Sequence, residues 1–141
     1  MSEANKATAR RYLEGILSEG DFDAIGEVIA ANYREHDPAN EVDTEGVDGV
    51  RAEFTMFRSA FDFRFTVEDQ LAEDDRVASR FTFRGPHIGE FSGVAATGHE
   101  IELTGIVIFR FADGMIQEAW WNWDTLGLLR QIGAIPAEQS A

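Results

Sequence analysis

The sequence predicts an α+β fold, with three N-terminal helices packed on a curved, mostly antiparallel sheet and a short C-terminal helix. Three observations carry this. Apolar residues recur at helical spacing up to Phe61, then alternate from Asp62 onward. Asp113-Gly114 is a strong two-residue hairpin signal late in the chain. Helices and strands are therefore segregated along the sequence rather than interleaved, which is the α+β pattern.

Residues 3 to 19 read as a first helix, with Ala9, Leu13, Ile16 and Leu17 on one face and Gly20 ending it. Asp21 is placed to cap a second helix that turns Phe22, Ile25, Val28 and Ile29 inward. Pro38 makes the segment 32–40 extended or turning, and His36 and Asp37 then point to opposite sides. An acidic loop follows. The third helix runs over about Val47 to Phe61, with Val47, Val50, Phe54, Phe57 and Phe61 as its apolar stripe.

Two alternating stretches, Phe63-Phe65-Val67 and Val77-Ser79-Phe81-Phe83, flank a turn at Glu73-Asp74-Asp75 and predict a hairpin or meander. The turn-rich segment 85–98 holds His87 and a short strand around Glu90 to Ser92. A long strand is predicted from about His99 to Phe111. Ile101, Leu103, Val107, Phe109 and Phe111 share one face, and Ile106 and Ile108 the other. The final helix starts near Thr125 and stops at Gly133. One domain is expected over 1–141, with its core at about 4–133 and a loose tail at 134–141.

Met115 to Gly133 holds all three tryptophans and reads as a strand running into that helix. Strict alternation puts Ile116, Glu118, Trp120, Asn122 and Asp124 on one face, and Gln117, Ala119, Trp121 and Trp123 on the other. An acid on a largely buried face has the perturbed pKa that proton transfer needs. A second reading stands beside it: Asp124 or Thr125 caps the last helix by accepting hydrogen bonds from its first N–H groups.

Composition excludes several classes. The formal net charge of −14 argues against nucleic acid as a partner. No apolar run is long enough to span a membrane. The opening MSEANKATARRY has no hydrophobic signal core, so a cytoplasmic protein is expected. Zero cysteines remove disulfides, thiolate zinc sites and cysteine nucleophiles. Lys6 is the sole lysine among twelve basic residues. Acid excess with almost no lysine points to a halophilic protein, because self-repulsion is screened over about 3 Å in 1 M salt. An acidic protein of an ordinary cytoplasm is the alternative. No phosphate-binding glycine loop, HExxH or nucleophile elbow is present, and nothing in the spacing of His36, His87 and His99 favours a zinc site. No cofactor and no metal are therefore expected. What remains is acid–base work by carboxylate and imidazole in an aromatic pocket.

Several stretches carry a resemblance: His36-Asp37-Pro38; Phe63 to Asp69; Asp75 to Arg80; Arg84 to Gly93; Thr97-Gly98; Asp113 to Trp120; and Trp123-Asp124 with Leu126 to Gly133. Together, in this order and spacing, the chain resembles the SnoaL-like polyketide cyclases, also called ester cyclases, of the cone-shaped nuclear-transport-factor-type fold. Ala95-Ala96 and Phe61-Asp62-Phe63 depart from the family pattern by lacking its prolines.

The resemblance implies a pocket between sheet and helices and a cofactor-free intramolecular aldol closure of a small apolar carbonyl compound. Asp124 would be the general acid/base, and His36 and His87 would be pocket groups beside it. Trp120 and Asn122 would line the substrate, as would Phe54 and Phe57 from the third helix. Two alternatives stay open. One is a hydrolase or dehydratase whose water is held by Asp124 and a neighbour such as Asn122. The other is a binding or interaction module without chemistry. The sheet face opposite the pocket, assigned Trp121 and Trp123 and joined by Ile106 and Ile108, is expected to be covered in a homodimer or higher homo-oligomer.

Overall fold

A computed structural model describes residues Ser2–Pro136. Helix α1, Ser2–Arg10, continues without a break into a π-helical turn, Arg11–Leu17. That run buries Ala9, Tyr12, Leu13, Ile16 and Leu17. The second predicted helix is shorter than expected: a 3-10 segment, Phe22–Glu27, after which Ile29 already opens strand β1, Ile29–His36. Only Ile29, Tyr33 and Glu35 of β1 are buried, so its one inward acid hides the strand from pattern reading. The two-residue β2, Thr44–Glu45, precedes α2, Gly46–Ala60.

Strands β3 (Arg64–Glu73), β4 (Arg76–Pro86), β5 (Glu100–Ala112) and β6 (Met115–Trp123) follow. Helix α3, Thr125–Gln131, comes last. The segment expected as a strand at Glu90 to Ser92 is a loop, held by a single bridge between Phe91 and Val94. Ala134 still donates to the Leu129 carbonyl at 2.9 Å, and the rest of the expected tail, 137–141, lies outside the described residues.

The six strands form one sheet in the order β2-β1-β6-β5-β4-β3. Every neighbour pair is antiparallel except β1 with β6. Asp113 (φ 52°) and Gly114 (φ 77°) make the turn between β5 and β6 with two left-handed residues, the geometry that suits twisted hairpins. The inner face of the sheet carries Phe63, Phe65, Phe81, Phe83, Phe109 and Trp121, all buried under α1 and α2. Each such ring contributes about 2 kcal/mol through burial.

The faces of β6 are the reverse of the strict alternation. Ile116 is buried as expected, but Arg110 pairs with Glu118 while Phe111 pairs with Ile116. One extra residue, Gln117, therefore bulges from β6. A bulge moves every later side chain to the other face. Trp121 and Trp123 turn inward and stack on each other at 4.8 Å, while Trp120 and Asn122 turn outward. The outer apolar patch thus contains Trp120, Ile106 and Ile108, and neither of the other tryptophans.

Candidate active site

A cavity of about 420 Å³ opens beyond the end of β1, between α2, the 86–98 loop and α3. Phe57 of α2 forms its floor, stacked between Phe91 at 6.0 Å and Trp123 at 5.9 Å. Phe83, Leu103, Leu128 and Leu129 complete the apolar wall. Its acids are Asp37 and Glu90. The volume and lining suit a small, mostly apolar molecule with a few polar handles. The loop is fixed at its base: the amides of Ile88 and Gly89 both donate to the Ala60 carbonyl, and a Cβ on Gly89 would strike the Ser59 carbonyl oxygen.

Asp37 follows the inward row of β1. Its Oδ1 accepts the Ala39 N–H at 2.8 Å and its carbonyl accepts the Asn40 N–H at 2.9 Å, which folds the segment after His36 into a tight turn. This turn places Asp37 at the rim of the cavity, where it also borders the clefts lined by Asn122.

Asp124 has a different place from the one expected. It is exposed, and its Oδ1 accepts the Gly127 N–H at 2.9 Å as the N-cap of α3. A Cβ on Gly127 would strike that carboxylate, so the Asp-Thr-Leu-Gly spacing serves the cap. It does not line the cavity; its neighbours Trp123 and Thr125 do.

His36 also lies apart from the cavity, on the outer sheet face. Nε2 meets Glu118 Oε2 at 2.6 Å and Nδ1 meets Asp43 Oδ2 at 3.0 Å. Arg110 donates to the other oxygen of Glu118 at 3.1 Å. Glu118, and then Asp43, hold the imidazole pKa above its usual value, and His36 with Arg110 holds the Glu118 carboxyl below the usual range.

His87 is fully buried, its ring against Phe61 at 5.1 Å. Its Nδ1 accepts the Thr97 N–H at 3.2 Å, which puts the ring proton on Nε2, and Nε2 has no partner among the described residues. Phe61 and Phe91, 5.1 Å apart, pack beside it, and His87 is not among the cavity-lining residues. His99 is exposed and meets the Gln131 carbonyl at 3.2 Å. Of the expected substrate contacts, Phe57 lines the cavity, and Phe54 is buried beside it, 5.8 Å away. Trp120 and Asn122 face outward. Among the described residues no group of three or more His, Cys, Asp or Glu is placed to hold a metal ion.

A sequence profile of SnoaL-like polyketide cyclases matches residues 7–132. The chain belongs to the SnoaL-like polyketide cyclase family. It is 29% identical over 132 residues to the aklanonic acid methyl ester cyclase DnrD of Streptomyces peucetius, spanning 88% of this chain and 87% of that protein. TsrD from Streptomyces laurentii has a similar structure, with a TM-score of 0.83 and 30% identity across 94% of this chain and 97% of that one. AclR from Streptomyces galilaeus, a candidate hydroxylase, gives a TM-score of 0.87 and 28% identity across 99% and 87%. The family and its cyclase members support a polyketide-cyclase-like function for this SnoaL-like chain. No helix among the described residues is long and apolar enough to cross a membrane.

This SnoaL-like chain also carries a buried acid pair that pattern reading missed. Glu35 on β1 is 2% exposed and accepts the Tyr33 hydroxyl at 2.7 Å. Glu53 on α2 lies against Glu35, and its Oε2 accepts the Thr44 hydroxyl at 3.1 Å. Burial, then Glu35, pushes the Glu53 carboxyl up to about 10, so it keeps its proton at neutral pH. The signal was present in the sequence. Glu53 falls between Val50 and Phe57 on the apolar stripe of α2, a place where an unpaired acid is costly.

Proposed function

We propose that the protein closes a ring in a small, largely apolar carbonyl compound by cofactor-free aldol chemistry in the Phe57–Phe91–Trp123 cavity, with Asp37 moving the proton. The observation that supports it is an aspartate placed by its own turn at the rim of an aromatic cavity. The Asp37 carboxylate takes a proton from a carbon α to one carbonyl. The resulting enolate carbon attacks a second carbonyl carbon of the same molecule. The alkoxide so formed takes the proton back from Asp37. One C–H bond and the π bond of the attacked carbonyl break, one C–C and one O–H bond form, and no oxidant is needed.

In this reading the three residues first singled out each anchor one cavity wall. His36 clamps the segment that bears Asp37, His87 pins the loop that bears Phe91, and Asp124 starts the helix that bears Leu128 and Leu129.

Aklanonic acid methyl ester, the compound named for the relative, is the first substrate to test, with the cyclised product read by chromatography. Asp37→Asn is expected to lower kcat about a hundredfold or more, and Asp124→Asn less than tenfold. Full activity in Asp37→Asn overturns the mechanism. Two further inferences accompany this reading. A second copy covers the outer patch at Ile106 and Ile108, where Arg76 and Arg80 on one side and Glu102 on the other can pair across a two-fold axis. A monomer in sedimentation equilibrium removes this. The acidic surface is an adaptation to high salt, and an unfolding midpoint that stays level between low and molar salt removes that.

A further inference from the structure

A buried acid pair costs stability, because the unfolded chain releases a proton that the folded chain must keep. Perturbed carboxyls of this kind concentrate at functional sites. The pair lies next to the proposed site along both elements that carry it. On β1 the inward row runs Tyr33, Glu35 and then Asp37 at the cavity wall. On α2, Phe57 at the cavity floor stands one turn beyond Glu53. Glu53 Oε1 is buried and has no hydrogen-bond partner among the described residues, so a charge there would be costly. Oε2 accepts from Thr44 on β2, so three elements meet at one carboxyl.

We propose that Glu35 and Glu53 are positioning residues of the cavity: Glu35, held by Tyr33 on β1, and Glu53, held by Thr44 on β2, face each other between β1 and α2 and so set Phe57 and Asp37 against each other. The inference rests on the ring-closing reading for its purpose, though not for the existence of the pair.

The groups that face Glu53 are few. Glu35 and Tyr33 come from β1, Asp37 from the turn after it, and Tyr12 from the π-helical turn. Both tyrosines are buried, and burial raises them well above their usual value, so neither titrates before Glu53. The acids of the 3-10 segment, Asp23 and Glu27, are exposed. Loss of the Glu53 proton puts a charge on a carboxyl whose Oε1 is buried and unpartnered among the described residues, beside a second acid.

The test uses the full chain and a neutral propionyl-naphthalene fluorophore, whose emission shifts when its carbonyl leaves water. Wild type is expected to take it up at about pH 7 and to bind it about tenfold more weakly above about pH 10. Glu53→Leu removes the pair while keeping the core apolar, and binds about tenfold more weakly at about pH 7 although folded. Glu53→Gln can donate to Glu35 but cannot ionise; it restores most of the affinity and abolishes the alkaline loss. A Glu53→Leu chain that binds like wild type, or a Glu53→Gln chain that keeps the alkaline loss, overturns the proposal.

The unfolding midpoint is followed in parallel. It should fall from about pH 5 to about pH 9 in wild type and less steeply in Glu53→Gln. If wild type never takes up the fluorophore, the ring-closing reading loses its cavity. The pair is then judged on unfolding alone, where equal slopes in wild type and Glu53→Gln refute it.

Discussion

The two faces of the sheet solve the same electrostatic problem in opposite ways. Glu35 and His36 are neighbours on β1. Glu35 points inward against Glu53, whose carboxyl is pushed up to about 10 and keeps its proton at neutral pH. His36 points outward and sits between Glu118 and Asp43, with Arg110 beyond, so that acids and bases alternate and the imidazole pKa is raised by its acidic neighbours. The difference follows from water. On the half-exposed outer face an ion chain is solvated and contributes modestly. In the core an uncompensated charge is prohibitive, so the proton is retained instead. Trp120 and Trp121 repeat the contrast on β6, one flanked by Arg76 at 5.0 Å and the other enclosed by Phe54, Phe65, Phe81 and Phe109.

The comparison breaks most readily at the tryptophans. Trp121→Ala should lower unfolding stability by about 4 kcal/mol, and Trp120→Ala by about 1 kcal/mol, in urea titrations. Equal losses would mean that the faces are wrongly assigned.

Next is Glu53→Gln, expected to raise stability by about 2 kcal/mol near pH 8. The sign follows from the raised carboxyl. Between its usual 4.5 and about 10 the unfolded chain has lost the proton and the folded chain has not, so wild-type stability declines as pH rises through that window. Destabilisation by Glu53→Gln near pH 8 would reverse this account.

Asp124→Ala removes the cap of α3 and should cost about 1 kcal/mol while leaving fluorophore uptake in place. Loss of uptake in a folded Asp124→Ala chain would return Asp124 to the site.

The smallest effect is expected at His36→Gln, less than about 1 kcal/mol, because the clamp is partly solvated. Its contribution should hold below pH 6.5 and fade as pH rises through the elevated pKa of His36. From the acid side it should fade as pH falls below 4.5 through the depressed pKa of Glu118. A flat difference from wild type across both windows would show that the clamp is silent.

The sequence disclosed whatever depends on near neighbours. The apolar stripe of α2, the alternation of β3 to β5, the Asp113-Gly114 turn and the capping option at Asp124 were all legible, because each is settled within a few residues. The inward face of β5, Ile101 to Phe111, was also legible. What was not legible depends on partners far along the chain. The bulge at Gln117 is visible only in the pairing of Glu118 with Arg110, and it reversed the faces of β6. Asp37 reaches the cavity only because β1 lies beside β6. Glu53 stands out on the apolar stripe of α2, but its partner Glu35 comes from another element and cannot be read from that stripe.

The lone parallel pairing of the sheet also dictates an order of assembly. β1 lies between the two-residue β2 and β6, and Ile29 must find Ile116 across most of the chain. Contacts this remote in sequence carry a large loop-closure cost and slow folding. A nascent chain on the ribosome completes β1 and α2 long before β6 exists, so the first strand has no lasting partner until nearly the last one is made. A chain truncated before Met115 therefore loses two strands rather than one, and the Asp37 wall goes with them.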